Sequence, residues 1–437
     1  MNRLKRLVPG ALGLFAVLAI PTGPSLLAGQ EPEVRRLTLE QAMRLAWENN
    51  PVTIAAEAGV ETAEASRLEA WGSFLPSLNV NGIYTNSSNT RFDQSTGRLV
   101  STSYTAQTQA SYDLFTAGRK LLTYRSATAR IESADAAYRD ARFRTALETT
   151  STYYETAAAA ELVRAAERRV ERADQQLSFA TTRLEVGSAT RSDLLRAEIE
   201  KGNAGLALID ARSALRSARL ALGRQIGTGG EAEPLDSTLP ETAPALPPAD
   251  TLAAHAARTS PTANSAEAAW NETKANKLSS YSTYLPTVRV NGGFDWFSPT
   301  YPPTNRSWSL RLTASIPVFN GFQREANVSR AAAAERLAAA RARDAEISAR
   351  AQAIDAAQRI ESAGERVAIA RRSVDLAEED LRVQTERYQI GVATILELQT
   401  SQLSLADAES GFVRARQQLG VAIAQLEAVL GERITSN

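Results

Sequence analysis

The chain contains two copies of one long pattern, and that repeat limits what it can fold into. Phe115 heads a helical stretch that reaches Gly187, and Phe319 heads another that reaches Gly391. The offset is about 204 residues at both ends, so the copies align without insertion or deletion. Within them Ala159, Val163, Ala166, Val170, Ala173 and Leu177 reappear as Ala363, Val367, Ala370, Val374, Ala377 and Leu381. A seam kept in both halves marks one structural unit used twice.

The 437 residues carry 49 basic and 49 acidic side chains, a formal net charge of zero. A nucleic-acid partner wants a basic surface, so this balance argues against one. Cysteine is absent, which excludes disulfides, thiolate metal sites and cysteine nucleophiles. His255 is the only histidine, which argues against a histidine-based metal site or triad within one chain. No paired-acid, nucleophile–base or phosphate-loop constellation stands out. The expectation is a protein without enzyme activity, metal or cofactor.

Arg3, Lys5 and Arg6 precede the apolar run Val8 to Ile20, and Ala28-Gly29 offers a small-residue cleavage point. This reads as an export signal over residues 1–29. The apolar run is short for a membrane span. No cysteine follows it to carry a lipid anchor. Later segments are not apolar enough for a transmembrane helix, so any membrane crossing must use strands.

Gly and Pro punctuate the rest. The first repeat is expected over 37–225. It holds two short helices, a β-hairpin at about 78–115, a long helix over 119–185 and a turn at 186–193, followed by a further helix. A Gly/Pro-rich connector spans 226–250. The second repeat, 251–431, has a β-hairpin at about 287–319, a long helix over 322–389 interrupted only by Gly364, and a turn at 390–397. A helix of about 67 residues extends about 100 Å and needs partners along its length.

Those helices follow the 4-3 apolar spacing of coiled coils, with Ala alternating with a larger residue. The last helix shows it as Leu405, Ala408, Phe412, Ala415, Leu419, Ala422, Leu426 and Val429. Its counterpart is interrupted only by Lys201. Alanine lets backbones approach closely. Off the seam, residues such as Arg168, Arg169, Glu171 and Arg172 are charged. The helices alone fit either a one-helix-thick wall or a solid bundle.

Four strands decide between these. Leu78, Val80 and Tyr84, then Tyr104, Ala106, Ala110, Tyr112 and Leu114, occupy even positions with polar residues between them. Val288, Val290, Phe294 and Trp296, then Trp308, Leu310, Leu312, Ala314, Ile316 and Val318, do the same. A period of two puts each set on its own sheet face. Aromatics gather near the strand ends, with Tyr84, Tyr104, Phe115, Trp296, Trp308 and Phe319 as candidate membrane-girdle residues. A soluble sheet would cover its apolar face with a helix, but every helix here is committed to a seam. A barrel facing outer-membrane lipid fits better. Four strands cannot close one, so several chains must share it. Two chains would supply eight strands, a barrel filled by its own side chains, and three would supply twelve, which can leave a pore.

The chain resembles the TolC-type outer membrane efflux proteins. The carrying elements are Leu37-Thr38-Leu39-Glu40-Gln41-Ala42, Asn50-Pro51, Phe74-Leu75-Pro76-Ser77-Leu78 with its echo Tyr284-Leu285-Pro286-Thr287-Val288, and Phe115-Thr116-Ala117-Gly118-Arg119 with its echo Phe319-Asn320-Gly321. The Gly187 and Gly391 turns complete the set. The resemblance implies a mainly α homotrimer with a 12-stranded transmembrane β-barrel, continuous with a coiled-coil periplasmic tunnel. It also implies a passive exit duct for small molecules or type I secretion, working with a periplasmic adaptor and an inner-membrane pump. The competing class is a periplasmic coiled-coil adaptor, which would have one hairpin rather than two.

The Gly-centred turns form the far tip of the helices. The resemblance assigns Asp193 and Tyr388 to an inter-helix gate link and Glu397 to an acidic constriction. Thr400 stands where the pattern has a second aspartate, and Ala393 where it has a linking arginine. The same residues read as helix caps. Thr394-x-x-Glu397 is a capping box, Thr190-x-x-Asp193 its variant, and Gly187 and Gly391 suit left-handed helix ends. His255 reads as an exposed equatorial residue, and Asp295, Arg289 and Arg311 as solvated residues on the wet strand face. Tyr153 and Tyr154 read as packing residues.

Overall fold

The computed structural model describes residues 34–93, 97–236 and 238–434, so the export signal lies outside the described residues. The order is β1 (Arg35–Leu37), α1 (Leu39–Asn49), α2 (Pro51–Gly72), β2 (Ser77–Asp93), β3 (Arg98–Phe115), α3 (Arg119–Glu185) and α4 (Arg191–Gln225). Then come β4 (Ala232–Pro234), α5 (Ala249–Thr259), α6 (Pro261–Tyr281), β5 (Thr287–Ser298), β6 (Asn305–Ser315), α7 (Gln323–Gln389) and α8 (Ile395–Leu430).

β2, β3, β5 and β6 form one antiparallel sheet in that order. Register carries the period of two across all four strands. Leu78 faces Ala110, Ala110 faces Gly292, and Gly292 faces Leu310. Asn79, Gln109, Gly293 and Ser309 align on the other face. Among the described residues no helix covers the apolar face: Val80 is 72% exposed, Trp308 72% and Leu310 70%. On the wet face Arg289 Nε donates to Asp113 Oδ1 at 2.6 Å.

The structure departs from the sequence reading in several places. The register shifts between Asp113 and Phe115, so odd-numbered Phe115 pairs with Val288 and joins the apolar face. β6 ends at Ser315, leaving Ile316 and Val318 beyond the strand. β2 and β3 continue past the β5–β6 hairpin, with pairing out to Phe92 and Leu99. α7 runs unbroken through Gly364.

Both strand-to-helix junctions use left-handed backbone, at Ala117 and Gly118 before α3 and at Gly321 and Phe322 before α7. A cation pins each. Lys120 Nζ donates to the Asp113 carbonyl and lies over Tyr112, while Arg324 donates to the Pro317 carbonyl and lies over Tyr284.

The long helices α3 and α7 have 67 residues each. α3 packs on α4 and α8, and α7 packs on α8. The largest apolar cluster joins Ala353, Ala356, Ile360, Ala363 and Val367 of α7 to Phe412, Ala415, Leu419, Ala422 and Leu426 of α8. Ile360, Leu419 and Leu426 are fully buried, each contributing about 1.5–3 kcal/mol. Ion pairs reinforce the seams: Arg169–Glu200 at 2.9 Å between α3 and α4, and Arg168–Glu409 at 3.1 Å between α3 and α8. Lys201, the break in the α4 seam, sits at its edge and pairs with Asp174 at 2.7 Å.

The Gly/Pro-rich connector packs across these helices as a belt. β4 pairs in parallel with β1. Leu239 is buried with Ala157, Ala158 and Val413. Arg416 of α8 donates to the Leu239 carbonyl at 2.7 Å and pairs with Glu161 at 3.0 Å and Glu241 at 3.4 Å. Ala243 then crosses α7 at Gly364, where an added Cβ would lie 2.9 Å from the Ala243 Cβ. His255 bonds Glu432 at 2.9 Å.

A Cβ on Gly420 of α8 would stand 2.7 Å from the Tyr154 ring of α3. Gly420→Ala is expected to cost about 1–3 kcal/mol. Tyr154→Leu in that background should recover part of the loss. A double-mutant cycle on urea unfolding midpoints checks the coupling.

Candidate functional site at the helical tip

Each long helix ends in the same local chemistry. After α3, Gly187 takes φ 76°, and after α7, Gly391 takes φ 82°, both in the left-handed region that favours glycine. The chain then re-enters a helix through a threonine cap. Thr190 Oγ1 accepts from the Asp193 N–H at 3.2 Å, while Asp193 Oδ2 accepts from the Thr190 N–H at 3.0 Å and its hydroxyl at 2.8 Å. Thr394 and Glu397 repeat this, with Glu397 Oε2 accepting at 2.6 Å and 3.0 Å. Asp193 and Glu397 therefore both cap their own helices.

Hydrogen bonds from the Thr394 N–H and hydroxyl hold the Glu397 carboxyl below its ordinary 4.5, and Arg387 adds a smaller pull. Burial acts weakly the other way. A depressed carboxylate pKa means the cap's contribution is complete above the ordinary value. It is lost as pH falls through the depressed one.

Tyr388 differs from both carboxylates. It is buried in a cluster with Ala180, Ala197, Ala393, Ile395 and Leu398, and its ring lies 6.1 Å from that of Phe179. Burial raises its phenol above 10.0, the Asp193 charge adds to the rise, and Arg183 opposes it. The side chain is thus a neutral donor near neutral pH. Among the described residues the Tyr388 hydroxyl has no hydrogen-bond partner. The structure brings Tyr388 within the field of Asp193 without a bond between them. Glu397 is exposed at the start of α8.

Two further residues were not singled out in the sequence. Arg183 Nη1 donates to the Tyr388 carbonyl at 2.6 Å. Gln176 is buried, and among the described residues neither atom of its amide has a partner. It lines a cavity of about 210 Å³ with Phe179, Leu381, Thr385 and Tyr388. Neither carries a sequence signal: Gln176 falls one position off the seam that runs through Ala173 and Leu177, and surface arginines are common on these helices.

Tyr84, Tyr104, Trp296 and Trp308 sit level with the β5–β6 turn, midway along the longer β2–β3 hairpin. Tyr84 and Tyr104 pack at 5.0 Å, and Tyr301 joins Tyr104 at 5.7 Å. Trp296 stacks near Phe294 at 6.2 Å, and Trp308 pairs across from Phe294. At the helix end, Phe115 and Phe319 are exposed, and Phe319 meets Phe322 edge-on at 5.4 Å.

The model of the outer membrane efflux protein family matches residues 42–228 and 252–432. No curated protein sequence matches the chain. Among solved structures, the CmeC outer membrane channel of Campylobacter jejuni is similar with TM-score 0.76 at 16% identity, over 96% of each chain. CusC is similar with TM-score 0.76 at 18% identity, over 93% of this chain and 96% of that one. The open-state MtrE outer membrane channel of Neisseria gonorrhoeae gives 0.72 at 20%, over 90% and 89%. The chain belongs to the outer membrane efflux protein family, and the two matched segments take in both copies of the repeat. It is an outer membrane channel subunit for efflux, with its strands in the membrane and its helices in the periplasm. That fits better than a periplasmic adaptor.

Thr394→Ala removes a cap worth about 1 kcal/mol. Amide exchange in the first turn of α8 should accelerate relative to wild type. The wild-type cap should also loosen as pH drops below 4.5, while Glu397→Gln should abolish that acid dependence.

Proposed function

We propose that three copies close a 12-stranded barrel and a shared helical tunnel, forming a passive duct that works with a periplasmic adaptor and an inner-membrane pump. The carrying observation is a four-stranded sheet with an uncovered apolar face and two edge strands, β2 and β6. Unpaired edges are not tolerated in lipid, and four strands are too few to curl shut. The helices support the same closure. α4 exposes Leu195, Ile199, Leu206 and Ile209, and α7 exposes Ile369, Leu376 and Val383 at seven-residue intervals, a series that Ile390 continues just past the helix end. These second seams suit packing against a neighbouring copy.

The cargo is a small molecule or a secreted protein, driven by the pump. The chain acts by conduction and not by catalysis. Tyr388, Asp193 and Glu397 are the proposed gate residues, with the glycine–threonine turns as the rigid ends that aim them. This second role is compatible with capping, since a capping carboxylate can still face the lumen.

Purified from detergent-solubilised outer membrane, the protein should migrate as a heat-dissociable trimer. A monomer released without detergent would support the adaptor class. Leu310→Arg, on the apolar face, should cost about 2–4 kcal/mol when folding is measured in bilayers. For the gate, Tyr388→Phe with Asp193→Ala should raise conductance in planar bilayers. Unchanged conductance would leave those residues with capping and packing alone.

A further inference from the structure

Arg183 lies in the last turn of α3 and is bonded to both tip turns at once. Its Nη1 donates to the Tyr388 carbonyl at 2.6 Å, and its Nη2 donates to the Ser188 carbonyl at 3.0 Å. Nε approaches Ser188 Oγ at 3.4 Å, and the guanidinium carbon lies 5.1 Å from the Tyr388 ring centroid. The first carbonyl ends α7, and the second follows α3. Both lie at the negative end of a helix, where a cation is favoured.

Gly391, held in the left-handed region at φ 82°, lies against this side chain at ordinary contact distance. A Cβ there would lie 3.4 Å from Arg183 Nη2, whereas a Cβ on Gly187 would meet nothing within 4 Å. The two copies of the repeat have the same Arg-x-x-x-Gly spacing, at Arg183–Gly187 and Arg387–Gly391. They are used differently. Among the described residues the Arg387 side chain donates along its own helix, to Gln384 Oε1 at 3.5 Å, and its charge acts on Glu397 of the same hairpin. Arg183 alone of this pair spans from one hairpin to the other.

We infer that Arg183 is the positioning residue that ties the α3–α4 turn to the α7–α8 turn within one protomer, fixing the place of Tyr388 at the tip. The inference rests on the proposed gate. It is nevertheless separable from the Asp193–Tyr388 pair. Arg183 holds main-chain carbonyls, so its grip survives loss of the Tyr388 hydroxyl.

The chain has no cysteine, so Val186→Cys and Val392→Cys, both exposed tip positions, introduce a single pair of labelling sites. Spin-labelled protomers are diluted into unlabelled trimers, and the intra-protomer distance distribution is measured with planar-bilayer conductance. With Arg183 present the distribution should be narrow. Arg183→Ala should broaden it and move it to longer distances, and should raise conductance. Arg183→Lys, which keeps a charge but loses the fork, should fall between. A narrow, unshifted distribution in an Arg183→Ala trimer of normal heat stability overturns the inference. So does loss of the trimer in Arg183→Ala, because the residue would then serve assembly. If Arg183→Ala shifts the distance while Tyr388→Phe with Asp193→Ala leaves conductance unchanged, the clasp stands and the gate reading falls.

Discussion

Backbone hydrogen bonding at the sheet edges governs the architecture. Each edge strand presents N–H and C=O groups that water satisfies in solution and hydrocarbon does not. The sheet here is apolar on one face and polar on the other, so lipid on one side and water on the other is its consistent environment. That environment demands closure, and closure demands further copies. The exposed seams on α4 and α7 meet the same demand in the helical part. Barrel and tunnel therefore impose one symmetry on the chain.

The helical part meets a second constraint, which is to hold helices of 67 residues in a thin wall. Small residues at the contacts bring backbones close, and larger ones interlock between them. Glycine extends that logic where something must cross. Gly364 admits the connector at Ala243, and Gly420 admits the Tyr154 ring. The connector gains from this by lying flat across both hairpins, secured through Leu239 and Arg416.

Much of this was legible in the sequence because its signals are periodic. Absence of internal Pro and a repeating apolar seam mark long helices, and alternation marks the sheet faces. What was not legible depends on contacts distant along the chain. β1 and β4 are three residues each, too short for a period, and exist because each pairs with the other. The shift that turns Phe115 onto the apolar face is a property of its pairing with β5. The second seams on α4 and α7 were hidden among charged neighbours. At the tip, Thr190, Asp193, Thr394 and Glu397 carry a local capping pattern, so their bonds could be read directly. Burial of Gln176 and the reach of Arg183 depend on a partner helix about 200 residues away.

The most direct measurement is solvent accessibility along β6. Single cysteines introduced at 307 through 313 in this cysteine-free chain would carry spin labels in the reconstituted protein. Collision with oxygen, which concentrates in lipid, is then compared with collision with a water-soluble relaxant. Labels at 308, 310 and 312 should favour oxygen, and labels at 307, 309, 311 and 313 should favour the aqueous agent. Equal aqueous access at both sets would contradict the account, since the apolar face would then be in water and nothing would require the sheet to close.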